Sequence, residues 1–109
     1  MGLDLKYTGD SNHEIACPNC GGMHLHHSLV TTFWRAKEDA EYGLRVESGD
    51  ASVKTSTEMN GNPSSRRDGV VIEFWCETCH ASPRLLLAQH KGSTELNWLT
   101  PIELSLEKT

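Results

Sequence analysis

Two pairs of cysteines, each with the spacing C-x-x-C, constrain this chain more than any other feature of its sequence. Cys17 and Cys20 form the first pair and Cys76 and Cys79 the second, and the 109 residues contain no other cysteine. Two intervening residues form a tight turn that directs both sulfurs at one ion, and two such turns complete a tetrahedron. The pattern predicts one metal ion held by all four thiolates, and zinc is the expected metal.

The residues that follow each pair suit such turns. Gly21 supplies a permissive backbone after the first pair, and His80, at the same place after the second, tolerates a positive φ better than most residues. Four thiolates close the coordination shell, so the metal is predicted to be structural rather than catalytic. Apparent binding free energies of about 10–16 kcal/mol for such sites exceed the stability of a typical domain, so the fold should depend on the metal.

Three alternatives remain open for the cysteines. The segment from Cys17 to Gly21 is similar to a rubredoxin knuckle, and the same four thiolates would accept iron. A thioredoxin-like redox pair would need a βαβ pattern, which surrounds neither motif. The run from Cys76 to His80 matches the haem-attachment motif C-x-x-C-H, but that attachment belongs to exported proteins, and the start MGLDLK does not have the pattern of an export signal.

Alternation of apolar and polar residues predicts β-strands along most of the chain. In the segment 24–34, one set of alternate residues is predicted to share a face: Leu25, His27, Leu29, Thr31 and Phe33. Further strands are predicted at 44–47, 52–57, 70–76, 83–90 and 94–99. The chain is therefore predicted to be all-β, built from two small antiparallel sheets or from one twisted sheet.

The segments between the strands are read from their composition. Residues 36–42 are charged and are predicted to form a solvated loop, with one helical turn as the alternative. Residues 48–50 are predicted to form a hairpin turn, and 58–69 a long loop dense in turn-forming residues. The core is predicted to draw on six apolar residues: Phe33, Val70, Ile72, Phe74, Leu85 and Leu87.

The length of the chain predicts one domain. Residues 1–12 are expected to be a flexible segment, 13–100 the zinc-stabilised β domain, and 101–109 a polar tail. The longest apolar runs, 70–72 and 85–88, are too short to cross a bilayer, so no membrane partner is expected. A cytoplasmic location is predicted, where paired cysteines favour a metal over disulfides.

The order knuckle, β-hairpins, knuckle resembles the zinc-ribbon group. The segments 61–69 (GNPSSRRDG) and 89–92 (QHKG) also resemble parts of small, uncharacterised two-knuckle proteins from bacterial and phage genomes. The resemblance covers residues 17–98. It implies an elaborated zinc ribbon in which 55 residues (76 − 20 − 1) form a long insertion between Cys20 and Cys76, but it brings no known activity.

A second candidate site consists of polar residues from the long loop and from the segment before the last strand: Ser64, Ser65, Arg66, Arg67, His90 and Lys91. Guanidinium groups, hydroxyls and the backbone amides of a Gly/Pro loop are groups that bind an anion or an acidic partner. His90 with Asp68 or Ser65 would add acid–base chemistry. The alternative is a solvated turn, and the sequence does not show whether the two segments meet.

Two further groups of residues have a structural and a functional interpretation. Three histidines follow the first knuckle and are expected to be surface groups or neighbours of the metal shell, with a loose surface ion as the alternative: His24, His26 and His27. Three tryptophans each lie within an alternating strand, where core or half-buried packing is expected rather than the stacking of bases: Trp34, Trp75 and Trp98.

These features favour a non-enzymatic binding module for a protein partner. A nucleic-acid-binding zinc ribbon is an alternative, but the net charge of −5 disfavours contact with phosphate backbones. A small phosphate-ester hydrolase or nuclease using Arg66, Arg67 and His90 is another. That enzyme would lack paired carboxylates at metal spacing, a nucleophile elbow and a P-loop.

Overall fold

The computed structural model describes residues 5–7 and 13–99. These residues contain no helix and form eight β-strands: β1 Leu5–Tyr7, β2 His13–Ile15, β3 Leu25–Arg35, β4 Tyr42–Gly49, β5 Ser52–Glu58, β6 Gly69–Cys76, β7 Arg84–His90 and β8 Ser93–Leu99. The predicted all-β class is confirmed. The flexible segment predicted at 1–12 includes β1, while its other residues and the tail predicted at 101–109 lie outside the described residues.

Six of the strands form one antiparallel sheet in the order β5-β4-β3-β6-β7-β8, and β1 and β2 form a separate two-stranded ladder. Strands β3 to β5 and strands β6 to β8 each follow one another as hairpins, so β3 against β6 is the pair that joins the two halves. The insertion predicted between the knuckles therefore forms four of the six strands of the sheet, β3 to β6.

Two of the hairpins turn through consecutive residues with positive φ. Asp50 and Ala51, at 49° and 57°, connect β4 to β5, and Lys91 and Gly92, at 48° and 84°, connect β7 to β8. Two such residues in a two-residue loop are the type I′ geometry, whose twist matches the twist of the flanking strands. The sequence predicts this turn at 48–50, but in the structure it is formed by Asp50 and Ala51, because β4 extends to Gly49 and is longer than its pattern predicts.

The pairing register separates the charged residues of the six-stranded sheet from the uncharged ones. Successive strand residues point to opposite faces, so the register fixes which side chains share a face. We call strand residues regularly paired where the ladder runs without a bulge. One face, the charged face, carries all the acidic and basic residues of these positions: Arg35, Arg45, Glu47, Lys54, Glu73, Arg84 and Glu95.

The opposite face, the uncharged face, has no Asp, Glu, Lys or Arg among the regularly paired residues between 29 and 99; Glu58, beyond a bulge in the β4–β5 pair, is left out of this comparison. Its side chains are mostly aliphatic or aromatic: Val30, Thr32, Trp34, Leu44, Val46, Ser48, Val53, Thr55, Val70, Ile72, Phe74, Leu85, Leu87, Gln89, Thr94, Leu96 and Trp98. The sheet is thus strongly amphipathic.

A bulge in β3 changes the alternation that the sequence predicts. The register shifts between His27 and Leu29, so that His27 lies opposite Phe74 and Leu29 lies opposite Glu73. The prediction that His27 and Leu29 share a face is therefore wrong, since a bulge inserts one extra residue and reverses the faces beyond it.

The uncharged face holds most of the predicted core. Leu85 and Trp98 are buried there, and the ring of Phe74 meets the ring of Trp98 edge-on with 5.7 Å between centroids. The other predicted core residues of this face are half-buried: Val70, Ile72, Phe74 and Leu87.

Phe33 is buried on the charged face, away from the other predicted core residues. It pairs with Gly69, while Val70 points to the opposite side of the sheet. The guanidinium carbon of Arg45 lies 5.6 Å from the centroid of the Phe33 ring, and a Cβ on Gly61 would lie 3.7 Å from that ring. Phe33 is therefore buried as predicted, but on the other side of the sheet from the other five residues, because the loop between β5 and β6 folds over the charged face and covers it.

Candidate metal centre

The first knuckle is a tight turn closed by its own backbone. The N–H of Cys17 donates to the carbonyl of Gly22 at 2.8 Å, and the N–H of Gly21 donates back to the carbonyl of Cys17 at 2.8 Å. The N–H of Gly22 also lies 3.3 Å from the sulfur of Cys20, where it stabilises a thiolate. Gly21 has a φ of 79°, the backbone conformation that the sequence analysis predicts for it.

The second knuckle repeats the same bonds. The N–H of Cys76 donates to the carbonyl of Ala81 at 3.0 Å, and the N–H of His80 donates to the carbonyl of Cys76 at 2.9 Å. His80 has a φ of 62°, so it adopts the conformation that Gly21 adopts in the first knuckle. The predicted tolerance of His80 for a positive φ is confirmed, and the two knuckles are local copies of one turn.

The four sulfurs converge at one point, all within 4.8 Å of one another. Cys17 Sγ lies 3.8 Å from Cys79 Sγ, and Cys20 Sγ lies 3.6 Å from Cys76 Sγ. A tetrahedral ion with metal–sulfur bonds of about 2.3 Å has sulfur–sulfur edges of about 3.8 Å. The sulfurs are therefore already spaced for a tetrathiolate site, and each knuckle contributes one sulfur to each of these two short edges.

Strand pairing brings the two knuckles together across 55 residues. Strand β3 begins just after the first knuckle and β6 ends in the second, and the register sets Leu25 opposite Cys76. The N–H of Glu77 donates to the carbonyl of His24 at 3.0 Å, which extends this pairing into the second knuckle. A Cβ on Gly22 would lie 3.0 Å from Thr78 Oγ1, so the knuckles also touch directly.

Hydrogen bonds and desolvation give the four thiols different pKa values. The side-chain amide of Asn19, 3.3 Å from Cys79 Sγ, and then the N–H of Ala81 lower the pKa of Cys79 to about 6. The N–H of Gly22 lowers the pKa of Cys20, but desolvation and hydrogen bonds to the other three thiols outweigh it and raise that pKa to about 12. A cation that binds all four thiolates must displace the tightly held proton of Cys20, so its affinity will depend on pH.

Because both cysteine pairs converge on one point, two of the alternatives for the cysteines, a redox pair and a haem attachment, are disfavoured. A redox pair or a haem attachment would use one C-x-x-C motif by itself, whereas here each motif completes the other. Zinc and iron both accept four thiolates, and the sulfur spacing does not separate them. Within the described part of the chain, these four residues form the one cluster of His, Cys, Asp or Glu close enough to hold an ion.

The structure brings together the two segments of the second candidate site. Ser64 is buried, and its hydroxyl donates to the carbonyl of Gln89 at 2.8 Å and accepts from the N–H of Arg67 at 2.9 Å. The N–H of Gln89 donates in turn to the carbonyl of Asp68 at 3.1 Å. Ser64 thus anchors the loop to β7 and is not free for a ligand, while Ser65, His90 and Lys91 are exposed.

The two arginines of this site already face carboxylates of their own chain. Arg66 donates from Nε and Nη2 to the two oxygens of Asp39 at 2.8 and 3.0 Å, and its Nη2 lies 2.9 Å from Glu38. Arg67 reaches the same Glu38 at 3.3 Å. The hydrogen bond from Arg66 holds the pKa of Asp39 below its ordinary value. An anionic partner would have to displace these internal acids.

Arg35 is a residue of this region that the sequence analysis missed. Its guanidinium donates to the carbonyls of Arg67 and Ser64, at 2.9 and 2.7 Å, and to that of Ala40. Its N–H donates to the carboxylate of Asp68 at 2.8 Å. One side chain therefore ties both loops that meet at this end of the sheet. No local pattern marks it, because its partners are backbone carbonyls distant in sequence.

A cavity of about 530 Å³ lies at this end of the sheet, lined among others by Trp34, Lys37, Arg67 and Leu87. It includes Gly69 at the first residue of β6, whereas Cys76 is at the last residue of that strand. The metal centre and this cavity are therefore at opposite ends of β6, which agrees with a metal that is structural rather than part of a pocket.

Of the remaining candidate histidines and tryptophans, His26 and Trp75 are neighbours. His26 pairs with Glu77 at 3.1 Å and lies beside Trp75, which in turn packs 5.6 Å from His80. Of the tryptophans, Trp98 is buried, whereas Trp34 and Trp75 are about half exposed.

No protein-family model, curated protein or solved structure matches the chain. Among the described residues no helix is long and apolar enough to cross a membrane.

Proposed function

We propose that this protein is a zinc-stabilised β domain that acts as a non-enzymatic binding module for a protein partner, with the uncharged face as its docking surface. The four-cysteine centre and the all-β fold are features of the structure. The identity of the metal, the binding of a partner and the cytoplasmic location predicted from the sequence are parts of the proposal.

One observation carries the proposal: large apolar side chains of the uncharged face are open to solvent. Val53 is 66% exposed, Trp34 54%, Leu44 46% and Leu96 40%. Trp34 and Leu44 are direct partners across β3 and β4, so their exposed surfaces are continuous. Val53 and Leu96 lie on the two edge strands, β5 and β8, so the continuous part of this surface is the Trp34–Leu44 pair. Contiguous apolar surface marks interaction sites in soluble proteins, and aromatic residues are enriched in protein–protein interfaces.

The charge distribution supports a protein partner over a nucleic acid. The chain has a net charge of −5, and the uncharged face offers no Lys or Arg from its regularly paired residues to contact phosphates. The hydrolase alternative would need Arg66 and Arg67 to reach a phosphate ester, but their guanidiniums are paired with Asp39 and Glu38.

The metal is tested by elemental analysis of the purified protein. One zinc per chain is expected, because a closed tetrathiolate shell is the common structural zinc site. Iron with a visible iron–thiolate absorption would replace zinc in the proposal and leave the role of the cysteines intact.

The docking surface is tested by comparing two tryptophan variants in a pull-down from nuclease-treated lysate. Trp34→Ser removes an indole from the uncharged face, and Trp75→Ser removes one of similar exposure from the charged face. A protein captured by the wild type and by Trp75→Ser, but lost with Trp34→Ser, is the expected result. Capture that survives Trp34→Ser and a second change, Leu44→Ser, would reject this surface.

A further inference from the structure

We propose that the partner of the uncharged face is a second copy of this chain, so that two sheets pack face to face as the layers of a sandwich. This inference rests on the proposed function, because it uses the same docking surface. It goes further by naming the occupant of that surface.

Charge is the first argument. Each copy carries a net charge of −5, so two copies repel one another through most of their surfaces. The regularly paired residues of the uncharged face contain no Asp, Glu, Lys or Arg, so this face can meet its own copy without apposing like charges. A two-fold interface must be complementary to itself, and an apolar surface free of charge meets that condition without any matching of opposite charges.

The architecture of the sheet is the second argument. A sheet with one apolar face needs another layer to bury it, and two such sheets pack with about 10 Å between them. Within residues 5–7 and 13–99 the other ladder, β1 with β2, has three residues in each strand, and no helix is present. The described part of one chain therefore supplies one layer of a sandwich, and a second copy supplies a layer with the same amphipathic pattern.

The exposed apolar area of the face is the third argument. From their exposed fractions, Trp34, Leu44, Val53 and Leu96 leave roughly 400 Å² of surface in water, spread across the face from edge strand β5 to edge strand β8. A standard interface takes about 800 Å² from each partner, which is about a ninth of the 7190 Å² surface of this chain. Half-buried neighbours between these residues, such as Val46, supply further contact area.

The inference is tested by the mass of the zinc-loaded chain in solution, measured by light scattering and sedimentation over a range of concentrations. The expected result is a species of twice the 12.1 kDa chain mass that dissociates on dilution. The main variant is Val53→Glu, which places a charge on the uncharged face at an exposed position of β5. Its matched control is Ser52→Glu, which adds the same charge one residue away on the charged face.

Val53→Glu should weaken the dimer by about tenfold or more, because a two-fold interface receives the new charge twice and desolvates both copies. Ser52→Glu should change the dissociation constant by less than about threefold, since exposed charges outside an interface contribute little. Zinc content and circular dichroism of both variants confirm that the fold is retained; if Val53→Glu misfolds, Leu96→Glu on β8 repeats the test on the same face.

Three outcomes would overturn the inference. A dimer unaffected by Val53→Glu and by Leu96→Glu would place the contact elsewhere. A wild-type monomer at all concentrations would remove the second copy, while the proposed function would still stand if Trp34→Ser loses a captured protein. A monomer that becomes a dimer only after residues 100–109 are deleted would identify the chain's own last residues as the occupant of the face.

Discussion

The replacement Cys76→Ser tests whether the metal holds the fold. Cys76 is fully buried at the last residue of β6, and its sulfur lies 3.6 Å from that of Cys20. Serine keeps the shape of the side chain but replaces a thiolate by a hydroxyl that does not ionise near neutral pH. The variant therefore opens the coordination shell while leaving the backbone of the knuckle unchanged.

The size of the effect follows from the number of ligands. A structural zinc site contributes roughly 10–16 kcal/mol of apparent binding free energy, so the loss of one of four thiolates removes about a quarter of that. For a domain of this size each kcal/mol shifts the melting temperature by about 4–8 °C, so the expected loss is about 10–30 °C. Lower pH should weaken the wild-type site in the same direction, because protons compete with the metal for thiolates.

The assay combines thermal unfolding followed by circular dichroism with elemental analysis of the same samples. Thr78→Ser is the matched control: it changes an exposed side chain between the two ligands of the same knuckle and keeps all four thiols. The control should retain its metal and melt within a few degrees of the wild type. A Cys76→Ser chain that keeps one metal ion and the wild-type melting temperature would show that the reasoning is wrong.

Two further predictions concern positions away from the metal. Ala51→Gly should stabilise the protein by about 0.5–1 kcal/mol in urea denaturation, because Ala51 has a φ of 57° in its turn; unchanged or lower stability would mean that the turn is not strained. Arg35→Met should cost about 2–3 kcal/mol, since three carbonyls lose a charged donor. Arg84→Met should cost less than about 1 kcal/mol, since it breaks one partly exposed ion pair with Glu73 at 3.4 Å. Equal losses would reject the special role of Arg35.

The metal centre was predictable because it obeys a local rule. The spacing C-x-x-C determines the turn, and Gly21 and His80 follow the ligands where a positive φ is needed. The strands were predictable for a similar reason, since alternation over a few residues indicates a strand with one face toward a core. What remained open was which pair of strands would join the halves, because that pairing depends on residues far apart in the chain.

The distribution of side chains between the two faces was harder to predict. One bulge between His27 and Leu29 reverses the alternation of faces, and no residue in the sequence predicts that bulge. Phe33 looks like any other apolar strand residue, and its burial under the loop depends on contacts that Arg35 makes with distant carbonyls. The charge segregation becomes visible only when the register aligns residues from six strands.

The four-cysteine site and Arg35 lie at the two ends of the same strand junction. Strands β3 and β6 join the two halves of the sheet, with Leu25 opposite Cys76 at the metal end and Phe33 opposite Gly69 at the other. At that second end the N–H of Arg35 bonds Asp68, just before β6 begins. The uncharged face crosses this junction, so we expect that loosening either end would let its exposed residues shift relative to one another. We therefore expect metal removal to weaken self-association as well as stability, although no metal ligand lies in the proposed interface.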